Sequence, residues 1–467
     1  RQRQMCIRDS AAIDRISSDL DVQQLSTTLR FQEQVSTFNH IAGHITWEQK
    51  KDGQLLEASN IKLTTPDDLD MKKGYFFLRE KQQANQTRYE AKVNLDELQL
   101  ETVHKLLPYL PLSGELSEKI KQFQPVGKLS NLSLSWQSIG DQLNQYSLKT
   151  DFTDLGLEPY EPYDIPGFQH VNGSINLDQK SGTLQLNSEH VVLYMKQVLR
   201  YGVPVDYIRG KIIWRHDRDK FNVHLNKLAL GTPHATGEIN GYIQHDAKTG
   251  PYFDLNATFS HADVRFTKLY LPTILSKETL DWIDTSVLNG YAEDVRLTLK
   301  GSLSDFPYVN NRNGLFRITA KGHDVTLDYA NGWPVIDHIK MNMLFEGKRM
   351  ELFINEGAVL KNKISNTKIV IPDLIVAEND LEVKGEITGS LQDQLQFINN
   401  SPLAAWSGGF TQGMKANGSG KLNLEIFMPL YHNENTKFKG KYTLQNASMV
   451  SESMPELKQI NGDILFN

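Results

Sequence analysis

Cysteine is almost absent from this chain: there is one in 467 residues, Cys6. A disulfide framework and a cysteine-rich zinc site are therefore excluded. Long apolar runs are missing as well. No stretch approaches the 18 or more apolar residues of a membrane-spanning helix, and mean hydropathy is −0.44. Nor is there an excess of positive charge. Fifty Lys and Arg against 56 Asp and Glu give a formal charge of −6, with the signs interspersed. Such a balance provides no phosphate-neutralising stripe for nucleic acid.

Catalytic and cofactor motifs are missing too. The 13 histidines form no HxH or HExxH pattern. His40 and His44 are four apart, but they flank Gly43 in a run that reads as a strand, where such residues lie roughly 13 Å from each other. They cannot share a metal, and the histidines read as solvated side chains. Gly418-Ser419-Gly420-Lys421 resembles the end of a phosphate loop, yet position 415 is Lys and Leu422 stands where a Ser or Thr would hold magnesium. No G-x-S-x-G occurs. Asp67-Asp68 and Glu293-Asp294 read as exposed turn residues rather than acid/base pairs. The expectation is a non-enzyme with no cofactor and no metal.

The first ten residues, RQRQMCIRDS, differ from the rest of the chain and read as translated sequencing adapter, to be set aside from any fold argument. They contain Cys6, three arginines and one aspartate. Without them the chain has no cysteine and its formal charge moves from −6 to −8. A cysteine-free chain fits an oxidising compartment such as a periplasm. The far end stops straight after an alternating run, INGDILFN, so the chain is expected to be truncated at both ends.

What the sequence does have is alternation. Phe253, Leu255, Ala257 and Phe259 alternate with Asp254, Asn256 and Thr258. Val295, Leu297 and Leu299 repeat the pattern, as do Met341, Met343 and Phe345, and Leu422, Leu424 and Ile426. Each reads as a strand with one apolar and one solvated face, which favours antiparallel meanders over buried parallel sheets. A loose motif, apolar-x-Gly-x-apolar-x-apolar, recurs as IAGHITW (41–47), VNGSINL (171–177), IRGKIIW (208–214), FKGKYTL (438–444) and INGDILF (460–466). A polar turn and a second alternating run often come next, as in INLDQKSGTLQL, where Ser181-Gly182 supply turn chemistry. The glycine on the apolar face admits two readings: close approach of another side chain or a ligand, or a β-bulge or bend. Helical islands are expected near 96–124 and 276–288. In the first, Val103, Leu106, Leu107 and Leu110 precede Leu116, Ile120 and Phe123. In the second, Ser276 caps a stripe of Leu280, Ile283 and Val287, with Asn289-Gly290 at its stop. The weakest points of the chain are Glu158–Pro162 and Gly408-Gly409.

Three stretches carry a family likeness: ADVRFTKLYLP (262–272), LDWIDTSVLNGYAEDVRLTLKGSLSDFPY (280–308) and GLFRITAKGHDVTLDYANGWPVIDHIKMNMLFEG (314–347). Their order and spacing resemble the YhdP family of AsmA-like proteins, and the resemblance extends over residues 11–467, read as one continuous segment. It implies a mainly β fold: an elongated, curled antiparallel sheet forming an open apolar groove, with a few short helices. It further implies an inner-membrane-anchored protein projecting through the periplasm of a Gram-negative cell. Its partners would be phospholipid acyl chains, moved toward the outer membrane, and the two membranes themselves, reached through termini not contained here.

From the pattern alone, the apolar face has two possible homes: a second sheet closing over it, or an open groove. The resemblance favours the groove. Its expected lining is Ile175 and Leu177; Ile212 and Trp214; Phe221, Val223 and Leu225; Phe253, Leu255 and Phe259; Val295, Leu297 and Leu299; Met341, Met343 and Phe345; and Leu422, Leu424 and Ile426. The alternative function is a non-enzymatic scaffold for outer-membrane assembly, whose sheet edge or helices hold a protein partner.

Overall fold

A computed structural model of the chain describes residues 14–28, 35–66, 70–83, 86–106, 122–140, 142–160, 165–196, 198–308, 312–376, 378–430, 432, 435–451 and 454–467. The adapter-like stretch and most of the first helical island, Leu107, Leu110, Leu116 and Ile120 included, lie outside the described residues. Strand is the dominant state, and the alternation seen in the sequence is its cause: β-branched and aromatic side chains sit on one side of a pleat and polar ones on the other.

Two compact units make up the structure. One runs to Met195 and resumes from Pro204 to Ala229; the other comprises Lys196–Val203 and Leu230–Asn467. These boundaries fall away from Glu158–Pro162 and from Gly408-Gly409. The strands of the first unit are β1 (Arg15–Thr28), β2 (Val35–Lys50), β3 (Gly53–Thr64), β4 (Asp70–Gln83), β5 (Gln86–Gln99), β6 (Val126–Ile139), β7 (Gln142–Leu157), β8 (Gly167–Asp178), β9 (Ser181–Tyr194) and most of β10 (Val203–Asp217) and β11 (Lys220–Gly231). Those of the second are β12 (Ala235–Asp246), β13 (Gly250–Asp263), β14 (Val287–Ser302), β15 (Gly314–Leu327), β16 (Ile336–Glu346), β17 (Arg349–Val359), β18 (Asn362–Ile371), β19 (Asp380–Ser390), β20 (Lys415–Pro429), β21 (Lys437–Ser451) and β22 (Met454–Phe466). From β1 to β9, and again from β12 to β22, each strand pairs antiparallel with its neighbour in sequence, and the sheet is not closed into a barrel.

In such a meander, successive connections alternate between the two ends of the strands. Among the described residues, the α-helices of each unit fall at one end of its own strands. These are α1 (Val103–Leu106) after β5, α2 (Lys277–Ser286) after β13, and α3 (Leu391–Asn399) and α4 (Leu403–Trp406) after β19. The opposite, hairpin end is made largely of tight turns, such as the two-residue connections between β8 and β9 and between β16 and β17.

The expected helix near 276–288 is present. The Ser276 hydroxyl accepts from the Thr279 amide at 3.2 Å, and Leu280 is buried. It stops earlier than expected: the chain enters β14 at Val287, so Asn289 and Gly290 are strand residues. The β8–β9 turn also differs in detail. Ser181 and Gly182 already belong to β9, and the turn is built by the Asp178 carboxylate, which accepts from the Lys180 and Ser181 amides at 2.7 and 2.8 Å. The sequence reading missed α3. Ser390 caps it, accepting from the Asp393 amide at 3.1 Å, while Leu391 and Leu395 are buried one turn apart.

Candidate functional site

Residues directly opposite in an antiparallel pair point to the same side of the sheet. The register of the second unit therefore decides which of the predicted side chains share a face. Leu255 lies opposite Leu299, and Leu299 opposite Phe316. One step along, Leu297 faces Ile318, Ile318 faces Phe345, and Phe345 faces Met350. A third row runs from Ala320 through Met343, Leu352, Ile369 and Val383 to Ile426. Leu422 continues it sideways between Ile387 and Tyr442, and Leu424 sits between Gly385 and Gly440. Phe253 and Phe259 join through Gly301 and Val295, and Met341 through Gly322 and Ile354. All twelve predicted residues of this unit thus lie on one apolar face.

The reverse face carries cross-strand ion pairs: Lys300 with Asp254 at 3.1 Å, Arg317 with Glu346 at 2.6 Å, and Lys441 with Asp463 at 3.0 Å. Exposed pairs of this kind add about 0–1 kcal/mol each. Their larger effect is on register, because a one-residue slip would swap every charge onto the apolar side.

The first unit repeats the arrangement. Ile16, Trp47, Leu56, Leu78, Ala91, Trp136 and Tyr146 stand opposite one another in turn from β1 to β7. Leu148 faces Leu177, and Leu177 faces Gly182. A Cβ on Gly182 would fall 2.0 Å from the Trp214 ring, so the indole lies over that glycine and shares the face of Leu177. Ile212 has the parity of Trp214. Ile175 stands between Thr150 and Leu184. On β11, Phe221, Val223 and Leu225 alternate with Asn222 and His224. At the hairpin end of this face the Trp47 indole N–H donates to Gln54 Oε1 (3.2 Å), and the Gln54 amide donates to Glu80 Oε2 (2.7 Å), giving the apolar strip a polar margin.

Burial is not uniform along the strands, and a row of bulges marks the change. Asn60, Asn131, Asp154 and His170 in the first unit have positive φ, as do Asp294, Asp324, His338, Asn366 and Asn446 in the second, and register shifts fall at these positions. Asn, Asp and His are the side chains that tolerate this backbone best, and a bulge bends the strand that holds it. Polar side chains tie successive bulges together. The His170 ring pairs with Asp154 at 2.6 Å and the His338 ring with Asp324 at 2.7 Å, while Lys321 Nζ donates to Asp294 at 2.6 Å. At the bulges and toward the helical end the apolar face is buried. Val325, Ile339, Ile354 and Ile364 pack together with Phe397 of α3, and Ile339 is 1% exposed. Met414, Ala416, Leu444 and Ala447 lie against Leu391 and Leu395 of the same helix.

Toward the hairpin end the same face is open. None of the nineteen predicted residues belongs to the buried set; eighteen are half-buried and Phe221 is exposed. Leu56, Leu78 and Ile16 remain 42%, 41% and 51% exposed on the shared row. The sequence reading could not separate these halves, since alternation is identical in both.

His40, His44, His170, His323 and His338 have acidic partners that sequence spacing did not reveal, because the companions lie on neighbouring strands. His40 pairs with Asp21 and His44 with Asp19, each at 2.8 Å. Asp324 lifts the His338 imidazole above its ordinary range, mainly through the hydrogen bond. Gly43, in the first copy of the glycine motif, sits at a register shift with φ 152°, and a Cβ there would meet Ile61 Cδ1 at 2.5 Å. Both readings of that glycine, bulge and close approach, hold at once. Among the described residues no three His, Cys, Asp or Glu side chains converge to hold a metal, and no helix is long and apolar enough to cross a membrane.

Comparison with known proteins meets this geometry at the same place. The intermembrane phospholipid transporter YhdP of Escherichia coli (strain K12) is 23% identical over 393 residues, covering 82% of this chain and 30% of that protein. The chain thus spans less than a third of that relative's length. No solved structure matches. The family model described as YhdP protein matches residues 8–467, a span that takes in both units and every strand of the two apolar faces, and the chain belongs to the YhdP family.

Proposed function

We propose that this chain is a lipid-conducting segment of a larger transporter, with the acyl chains of phospholipids lying along the hairpin-end half of its apolar face. The observation that carries this reading is the row Ile16–Trp47–Leu56–Leu78, unbroken across four strands and left substantially open to solvent. Contiguous exposed apolar surface of this kind marks a binding face. The relative named as an intermembrane phospholipid transporter supports the choice of ligand. A phospholipid hides about thirty methylenes, so crossing water costs on the order of 20 kcal/mol at ~0.8 kcal/mol each. An apolar strip of even character removes most of that barrier and creates no deep well along the way. Headgroups stay at the polar margin beside Gln54 and Glu80. The setting is the periplasm, between an inner membrane that anchors the full-length protein and the outer membrane that receives lipid. No catalytic step is involved.

The test uses photo-crosslinking side chains in the 467-residue chain incubated with phospholipid vesicles. A probe at Leu424 is expected to capture lipid, and one at Asn423, on the reverse face, is not. Equal labelling of both faces would overturn the reading. A chain that carries no lipid by mass spectrometry and instead retains a stoichiometric protein would favour a scaffold.

A further inference from the structure

Within the second unit the hairpin end is not tight everywhere. β12 and β13 are joined by three residues and β16 and β17 by two, whereas β14 and β15 are separated by residues 303–313. Hairpins rarely need more than five. The described part of this connection does not stay at the edge. Leu303–Asp305 form a 3-10 turn, and the chain then folds back so that Tyr308 lies over the apolar face. Its ring rests on two glycines that oppose each other across the strands, Gly301 and Gly314: a Cβ on either would meet the ring at 2.7 or 2.5 Å. Gly301 in turn faces Phe253. Phe306 packs edge-on against Phe316, with centroids 5.2 Å apart, and against Tyr308 at 5.8 Å.

Three features of Tyr308 are out of keeping with an ordinary core residue. It is 2% exposed while its neighbours on the face, Phe253, Leu299 and Phe316, are only half-buried. Its hydroxyl is buried with no hydrogen-bond partner. Its φ is 62°, a region that bulky side chains avoid. A stranded hydroxyl and an unfavourable backbone both weaken the seat, whereas the paired glycines make room for something of the ring's thickness.

We propose that Leu303–Tyr308 is a displaceable plug, with Tyr308 filling a stretch of the apolar face that an acyl chain takes when the strap lifts. This rests on the lipid-conducting reading above and adds to it a point of control: passage beneath β14–β15 requires the strap to move, whereas the face around Leu424 is free. Tyr308→Phe keeps the ring and removes the stranded hydroxyl, so it holds the strap down harder. Relief of one buried unsatisfied group corresponds to a roughly five- to hundredfold smaller open population, the equivalent of about 1–3 kcal/mol. Tyr308→Ala removes the plug.

The experiment places the photo-crosslinking side chain at Leu299, under the strap, or at Leu424, outside it, with vesicles of labelled phosphatidylethanolamine. The unaltered chain is expected to label strongly at Leu424 and weakly at Leu299. Tyr308→Ala should bring Leu299 up to the level of Leu424, and Tyr308→Phe should lower it further, with Leu424 unchanged in both. Amide exchange at 303–308, measured without lipid, should slow in Tyr308→Phe. Strong Leu299 labelling in the unaltered chain, or Leu299 unmoved by Tyr308→Ala while Leu424 labels, overturns the plug and leaves the lipid reading standing. If Leu424 captures nothing, the lipid reading fails and the plug falls with it. Exchange at 303–308 that is as fast in Tyr308→Phe as in the unaltered chain removes the energetic basis of the proposal, whatever the lipid does.

Discussion

Leu95 and Leu78 test the division of the apolar face into a buried and an open half. They are the same residue type, in adjacent strands of the same unit, on the same face. Leu95 is 6% exposed and packs with Ile61, Met71 and Leu132; Leu78 is 41% exposed. Leu→Ala removes the equivalent of about three methylenes, or ~2.4 kcal/mol if all are out of water. At Leu95 the loss is complete and a cavity is left behind, so the cost is about 3–5 kcal/mol. At Leu78 about three-fifths of the side chain is covered, and the vacated space opens to solvent, so no cavity penalty is added. The expected cost is ~1–1.5 kcal/mol. The gap of about 1.5–4 kcal/mol is a roughly ten- to eight-hundredfold difference in unfolding equilibrium, readable as a difference in denaturant midpoint at constant slope. Trp47, Trp136 and Trp214 report on this unit, and variants replacing the other tryptophans isolate their signal. If Leu78→Ala costs as much as Leu95→Ala, something covers Leu78 and the open-face argument fails.

Leu297→Asp should abolish lipid capture and leave strand content by circular dichroism intact, since the new carboxylate has open solvent to turn to; collapse of the fold would refute this. Gly53→Ala should be costly, because a Cβ there meets the Glu80 carbonyl oxygen at 1.9 Å with φ at 156°, whereas Gly440→Ala meets only the movable Phe466 ring; thermal melts should rank them in that order. Arg200 donates two hydrogen bonds to Asp284, at 2.9 and 2.7 Å, and these hold the carboxyl below its usual range. A depressed folded pKa stabilises above the unfolded value and is lost as pH falls through the folded one. Asp284→Asn should therefore cost about 1–3 kcal/mol near neutrality and progressively less in acid, seen as converging midpoints of the two chains. His338 runs the other way: its raised pKa contributes below the unfolded value and fades as pH rises through the folded one. Nuclear magnetic resonance should show its midpoint above that of a free histidine, and Asp324→Asn should bring it down.

What the sequence made legible depends on the reach of each interaction. Alternation is local, so the strands at 253–259, 295–299, 341–345 and 422–426 could be found one at a time, and register then had to bring them onto one face, because a slip would put Asp254 or Arg296 among leucines. The helix at Ser276 was legible because a cap and its stripe lie within a dozen residues. The α3 helix was missed although Ser390, Leu391 and Leu395 carry the same signal; it continues from a strand without a break, and alternation through Gly389 masks the change of period. The row of bulges was illegible. A bulge is a relation between two strands, and Asp324 means nothing until His338 is seen beside it. The same holds for the contrast between Leu95 and Leu78, which no single strand encodes.

These levels meet in one consequence. A flat single-layer sheet leaves its apolar face wholly in water, and two sheets in a closed sandwich leave none of it there. Bulges recur from strand to strand within each unit, and in the second unit α3 packs on the apolar face on one side of them. On the other side of the bulges the apolar face of each unit is only partly covered. Leu56, Leu78 and Ile16 stand partly in water along a single row and together give the open strip its apolar character. Replacing all three with Ser, Thr or Asn should lower the stability of the first unit by about 3–4.5 kcal/mol, the sum of three partly exposed sites, while removing lipid capture at a probe on Trp47. Retained capture would mean that the open half of the face is not where the ligand lies.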